Sequence, residues 1–209
     1  MAPTATAGTT VPAPTTVPAP TTGAPAATVP GPTPVETTAP PPVTTTPPPS
    51  TAPNPADNPI YAIGDSVMKG AAGALSEKGI VVDAEVSRQM KTVVPLVQAL
   101  AAQGELGPAV VVHLGTNGNL GDQTLTDFFS ALSGVPKVLV LTVHAPGGYV
   151  VQNNIKLANL PSQFPNVTVL YWDGLANQCP GNCFYKDGTH LRPDGQRYYA
   201  DLVFQQLGI

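Results

Sequence analysis

Basic residues are scarce in this chain. Of 209 residues only nine are Lys or Arg, against 13 Asp or Glu, and the formal net charge is −4. No basic run occurs, which argues against nucleic acid and against anionic membrane surfaces as partners. Long apolar runs are lacking too. No stretch approaches the roughly 18 apolar residues of a bilayer span. Met1 is not followed by a basic segment and an apolar core, so no signal peptide is visible. If the protein is exported, its signal or anchor is expected upstream of this sequence. Cysteine occurs only twice, and two cysteines cannot complete a zinc site without further ligands, so no metal or other cofactor is expected.

Residues 1–59 lack Lys, Arg, Cys and aromatics altogether, and Glu36 and Asp57 are their only charges. What they hold is Ala, Pro, Thr, Val and Gly, including 18 of the 26 prolines, in near-repeats such as Thr9-Thr10-Val11-Pro12-Ala13-Pro14. Such a segment buries too little apolar surface to offset its backbone entropy, so a disordered tail is expected. Its prolines favour polyproline II. At about 3.1 Å per residue it would reach roughly 170 Å as a semi-rigid spacer. It reads as a tether, with threonines open to O-glycosylation, or as a passive linker.

Residues 60–209 suit one domain with a proper core. Strand patterns fall at Ile60–Ile63, Ile80–Val82, Ala109–Leu114, Val138–Val143 and Val167–Tyr171. Helical patterns fall at Val67–Lys78, Thr92–Gln103 (with Pro95 in its first turn), Thr124–Leu132, Val150–Leu160 and Pro193–Leu207. Five apolar strands alternating with helices imply right-handed βαβ units. The expected fold is a flavodoxin-like α/β/α sandwich with a five-stranded parallel sheet. Ligands of such sheets bind beyond the carboxyl ends of the strands. The loops that carry Ser66, Ser87–Gln89 and Asn117 should all open on that edge.

Cys179 and Cys183 flank Pro180-Gly181-Asn182, turn chemistry that can bring the two thiols together. A disulfide is the favoured reading, worth about 2 kcal/mol in so short a loop and consistent with an oxidising, extracytoplasmic site. Two ordinary thiols are the alternative.

Two short motifs carry the chemistry. Gly64-Asp65-Ser66 ends the first strand, and Asp187-Gly188-Thr189-His190 precedes the last helix. A hydroxyl at a helix N-terminus sits where free N–H groups face an incoming oxyanion. Ser66 there is a nucleophile candidate, or simply an N-cap. Asp187, three residues before His190, can reach its Nδ1 and fix the tautomer, which makes His190 the base candidate. Asp187-Gly188 as a plain turn is the alternative. His113, inside an apolar strand, reads as a satisfied core histidine, whereas His144 could line a pocket. Gly115-Thr116-Asn117-Gly118 after the third strand offers the Asn117 amide to an oxyanion, or is an ordinary Gly/Asn turn.

Gly64-Asp65-Ser66, Gly115-Thr116-Asn117 and Asp187-Gly188-Thr189-His190, in that order, resemble blocks I, III and V of the SGNH (GDSL-like) hydrolases. With Val67-Met68, Asp83-Ala84-Glu85-Val86-Ser87-Arg88-Gln89 and His113-Leu114, the chain further resembles the extracytoplasmic domain of peptidoglycan O-acetyltransferases. That resemblance implies Ser66 as nucleophile, His190 as base and Asp187 as its orienter, with Asn117 and the Ser66 N–H as oxyanion donors. Gly115, Ser87 and Arg88 are carried along as oxyanion or substrate-binding positions. Ser87-Arg88-Gln89 replaces the usual block II glycine, which leaves open which backbone N–H there contributes.

The expectation is an extracytoplasmic, membrane-tethered or wall-associated monomer that transfers an acetyl group from a donor to a cell-envelope glycan. The resemblance places a membrane acyltransferase domain elsewhere in the full-length protein. Hydrolysis of carbohydrate or lipid esters by the same residues is the first alternative. A wall-binding module without activity is the second. Tyr149, Tyr171, Trp172, Phe184 and Tyr185 could supply a sugar platform, although such aromatics are more often core.

Overall fold

The computed structural model describes residues 57–209. The expectations for 1–59 therefore lie almost wholly outside the described residues. Five strands, β1 (Tyr61–Gly64), β2 (Val81–Ala84), β3 (Ala109–His113), β4 (Lys137–Leu141) and β5 (Val167–Leu170), form one sheet in the order β2-β1-β3-β4-β5. All pairings are parallel. This is the flavodoxin-like order that the alternating pattern suggests.

Between and after the strands run α1 (Ser66–Ser76), α2 (Met90–Gln103), α3 (Asp122–Ala131), α4 (Val150–Ala158), α5 (Trp172–Leu175) and α6 (Pro193–Leu207). Side chains of a strand alternate between the two faces of a sheet. Val110 and Val112 of β3 accordingly join Val93, Val97, Phe128 and Leu157 in a core under α2, α3 and α4. Val111 points the other way, to Leu75, Tyr199 and Val203 under α1 and α6. The central strand β3 is buried along its whole length, as a strand covered on both faces must be.

Three details differ from the sequence reading. Asp65, not Ser66, caps α1: its Oδ1 accepts from the Val67 N–H at 3.1 Å, and Ser66 is the first helical residue. The α2 helix starts two residues early, so Pro95 is its sixth residue rather than part of its first turn. Burial of Met90, Val93 and Val97 holds that helix together across the missing N–H. The short α5 has no counterpart among the helical patterns, because four residues are too few to show a helical period.

A candidate active site at the carboxyl edge of the sheet

The strand order decides what meets. Because β1 lies between β2 and β3, the loops after these three strands are neighbours: the chain passes from β1 to β2 on one side and then crosses back past β1 to β3 on the other. The crevice at such a switch point is where ligands bind in open α/β sheets. Ser66 opens α1 there. Its own N–H, at the first helical position, is one of the donors a helix cannot satisfy internally.

His190 reaches Ser66 from the far end of the chain. Its Nε2 lies 3.0 Å from Ser66 Oγ, across 124 positions of sequence. On the other side of the ring, Nδ1 is 2.9 Å from Asp187 Oδ2. The same carboxylate uses Oδ1 to accept from the backbone N–H groups of Thr189 (2.9 Å) and His190 (3.0 Å). These contacts, the two backbone N–H bonds foremost, lower the Asp187 pKa to about 2. An anionic Asp187 favours the tautomer with the proton on Nδ1, which leaves Nε2 free to accept from the Ser66 hydroxyl. Side chains of His190 and Asp187 are 46% and 49% exposed, so the site is open rather than enclosed.

The turn that carries this pair is anchored from three directions. Cys179 and Cys183 are bonded to each other. The Arg192 N–H donates to the Cys183 carbonyl at 2.8 Å, and Tyr185 N–H to the His190 carbonyl at 2.9 Å. Phe184 and Leu191 pair as an isolated antiparallel bridge. Gly195, in the first turn of α6, is in close contact with this loop: a Cβ there would collide with the Cys183 carbonyl.

The loop after β3 lies alongside. Asn117 Nδ2 donates to the Arg88 carbonyl at 3.3 Å, which leaves its second amide proton unspent. Gly115 has φ 123°, and a Cβ at that position would press on Val143 Cγ2 and Leu120 Cδ1 at 3.1 and 3.2 Å. Arg88 contributes its backbone here. Its guanidinium is held within its own loop by the Asp83 carbonyl (2.8 Å), Asp83 Oδ1 (2.7 Å) and Glu85 Oε1 (3.0 Å). Ser87 has φ 60°, the left-handed region that favours glycine.

Two residues that hold this loop carry no such signal in the sequence. Asn153, in α4, is 1% exposed. Its Oδ1 accepts from Leu120 N–H at 2.9 Å, and its Nδ2 donates to the carbonyls of Gly115 (2.9 Å) and Gly118 (2.8 Å). One side chain thus fastens both ends of the Gly115–Leu120 segment. Tyr149, expected as a sugar platform, instead donates its hydroxyl to the Thr116 carbonyl at 2.7 Å. Asp65 completes the support: its Oδ2 accepts from Thr116 N–H at 3.3 Å, so one buried carboxylate links the Ser66 turn to the Asn117 loop. A polar residue in a helical pattern reads as surface. Only its tertiary surroundings show otherwise.

His113 is fully buried. Its Nδ1 lies 3.0 Å from the Tyr199 hydroxyl, whereas Nε2 has no partner among the described residues, so it is only half satisfied. Burial lowers its pKa, against an opposing pull from Asp65, and keeps the ring neutral. His144 is half-buried, with Nδ1 3.3 Å from the Asp173 carbonyl. Trp172 is core, whereas Tyr171 and Tyr185 are exposed. Among the described residues no group of three or more His, Cys, Asp or Glu is placed to hold a metal. None of their helices is long and apolar enough to cross a membrane.

No protein-family model matches the chain. The peptidoglycan O-acetyltransferase OatA of Listeria monocytogenes is 31% identical over 144 residues, 68% of this chain and 23% of that protein. The chain thus spans about a quarter of the length of the curated relatives it matches. Among solved structures, the C-terminal catalytic domain of peptidoglycan O-acetyltransferase A of Streptococcus pneumoniae superposes with a TM-score of 0.64 at 22% identity, covering 72% of this chain and 93% of that one. A GDSL-like lipase from Bacteroides thetaiotaomicron superposes with a TM-score of 0.59 at 13% identity, covering 75% and 91%. By sequence the chain is similar to peptidoglycan O-acetyltransferases over part of their length, and its described residues share their fold with the catalytic domain of one such enzyme and with a GDSL-like lipase.

Proposed function

We propose that residues 60–209 form the catalytic domain of a serine O-acyltransferase that acetylates a hydroxyl of a cell-envelope glycan. The observation that carries this reading is the continuous relay from Asp187 through His190 to Ser66 Oγ, at 2.9 and 3.0 Å, beside the Ser66 N–H at the start of α1. In this mechanism Ser66 Oγ attacks the carbonyl carbon of an acetyl donor while His190 Nε2 takes its proton. The Ser66 N–H and the Asn117 amide stabilise the resulting oxyanion. His190 returns the proton to the leaving group as the carbon–oxygen bond to it breaks, and acetyl-Ser66 remains. A sugar hydroxyl then enters, gives its proton to His190 and attacks the acetyl carbon; His190 passes that proton to Ser66 Oγ as the acyl bond to it breaks, which releases free Ser66 and the acetylated glycan. Asp187 stays anionic throughout and stabilises the imidazolium.

The openness of the site suits a polymer, which must enter and leave sideways. It also admits water, and that favours ester hydrolysis as the second reading. In the transferase reading, residues 1–59 are a Pro/Thr-rich linker. They would join this domain, outside the cytoplasm and as a monomer, to a membrane acyltransferase domain that delivers the acyl group.

One assay separates the readings. The chain is incubated with 4-nitrophenyl acetate, with and without a β-1,4-linked N-acetylglucosamine pentamer, and the sugar is analysed by mass spectrometry. Acetylated pentamer is expected. Free acetate alone, at a rate indifferent to the pentamer, would refute transfer and leave hydrolysis. Ser66→Ala should lower turnover by roughly 10⁴-fold or more. Full activity in that variant would end both enzymatic readings.

A further inference from the structure

Three of the exposed large apolar side chains lie together. Val151 (64% exposed) and Ile155 (49%) sit on α4, and Tyr171 (55%) follows β5. They line one open cleft of about 320 Å³ with Thr142, Asn154 and Asp173. That volume lies within the range of about 300–1,000 Å³ typical of small-ligand sites. Clustered exposure of this kind marks an interaction surface.

The polar wall of the cleft narrows the choice of occupant. Asp173 Oδ1 accepts from Thr142 Oγ1 at 2.7 Å. Oδ2 has only a long contact, 3.4 Å from Asn154 Nδ2. Asn154 is itself locked in place, because it accepts from the Val143 N–H at 2.8 Å and donates to the Val143 carbonyl at 2.9 Å. A carboxylate offers about four lone-pair positions, so Asp173 presents a fixed, underused acceptor. A lipid tail or an apolar helix would cover that charge without pairing it, which opposes binding. A ligand with an apolar face and hydroxyls at its rim satisfies both walls.

The cleft also shares an edge with Ser66. Thr142 follows β4 directly and Tyr171 follows β5, and both strands run parallel to β1. In the sheet β5 is three strand spacings from β1, about 14 Å. His144 lies between, with its ring 5.2 Å from Phe184 and its Nδ1 against the Asp173 carbonyl. Phe184 in turn pairs with Leu191, the neighbour of His190. Across that span a single sugar at Ser66 would fall short of the cleft, whereas a linear oligosaccharide would be long enough to reach it.

We infer that the cleft between α4 and the β5–α5 junction is a distal subsite for a pyranose ring of the acceptor glycan, with Tyr171 as stacking face and Asp173 as hydroxyl acceptor. This rests on the proposed acyl transfer to glycan. The test separates the two. Binding of the β-1,4-linked N-acetylglucosamine pentamer is measured by calorimetry on the Ser66→Ala chain, where no turnover intervenes. Adding Tyr171→Ala should weaken binding by about tenfold, and Tyr171→Phe should preserve it. With Ser66 intact, Tyr171→Ala should leave 4-nitrophenyl acetate turnover unchanged, and should raise KM for the pentamer but not for the monomeric sugar. Equal affinities with and without Tyr171→Ala, or no binding of the pentamer at all, would overturn the subsite even if glycan is acetylated. Tyr171-dependent binding without any acetylation would overturn the transferase reading and leave the subsite standing. Loss of vesicle binding or of dimerisation in Tyr171→Ala, with glycan affinity unchanged, would assign the cleft to a lipid surface or a second copy and refute the inference.

Discussion

Replacing Asn153 by alanine should damage both the fold and the rate, although this side chain touches neither Ser66 nor His190. The truncation strands two buried groups, the Leu120 N–H and the Gly115 carbonyl, and the part-buried Gly118 carbonyl, now bonded at 2.9, 2.9 and 2.8 Å. An unpaired buried backbone group costs about 1–3 kcal/mol. Partial rescue by water reduces the sum, so a loss of about 3–5 kcal/mol is expected. Against a typical total of about 5–15 kcal/mol, this is a large fraction. At about 2–4 °C per kcal/mol for a domain of this size, thermal unfolding followed by circular dichroism should fall by roughly 10–15 °C. The rate effect arises through Asn117, which rides on the loosened loop. If its amide no longer meets the oxyanion, kcat for 4-nitrophenyl acetate should drop about 10²–10³-fold, measured well below the variant's melting temperature. KM should change little, because the lost interaction is made in the transition state. A variant that melts within about 3 °C of the parent and keeps kcat within about twofold would refute the reasoning. Tyr149 and Asp65 would then be shown to hold the loop unaided.

Ser87→Gly should stabilise the domain or leave it unchanged, since it relieves a left-handed backbone that costs an L-residue about 1 kcal/mol; a clear fall in melting temperature would show that the hydroxyl has a role of its own. Replacing both Cys179 and Cys183 by serine should cost about 2 kcal/mol on the chain-entropy model. Turnover should fall more than that loss of folded protein explains, because the loop carries the Asp187–His190 turn; proportional losses of activity and folded fraction would remove its positioning role. Asp187 has its folded pKa depressed from 3.8 to about 2. Its contribution to stability is therefore fully present above about pH 4 and is lost as pH falls toward 2. Melting temperatures of Asp187→Asn should change less across pH 4–2 than those of the parent, and parallel curves would contradict the depressed pKa. The opposite sign of charge acts at His113, whose lowered pKa means that below about pH 6.5 the unfolded chain takes up a proton the folded one refuses. Stability should already decline from there, and His113→Gln should flatten that limb.

Much of the fold is legible in the order of the residues. The β-branched run Ala109–His113 and its four companions are strands within a residue or two of their expected limits. Apolar periodicity is a local property, and burial on two faces enforces it. Boundaries shift where capping decides them, as at Asp65 and Met90. The pairing of Cys179 with Cys183 is legible for the same local reason, a three-residue turn of Pro, Gly and Asn. The supports of the site are not. Asn153 lies in a pattern of Gln, Asn and Lys that reads as solvent-facing, and nothing local to Tyr149 ties its hydroxyl to the Thr116 carbonyl 33 positions away.

The local chemistry is thus written in the chain itself. Asp187 lies three residues from His190 on a Gly-containing turn, close enough for the carboxylate to reach the ring whatever the rest of the molecule does. What the chain could not state locally is that Ser66 lies within hydrogen-bond distance of that ring across 124 positions. That contact depends on the placement of β1 between β2 and β3 and on the packing of α6 beside α1, which are products of long-range burial. Hydrogen bonding between neighbours in sequence is set by backbone geometry. Contact between distant segments is set by which apolar faces cover one another, and only the folded molecule decides that.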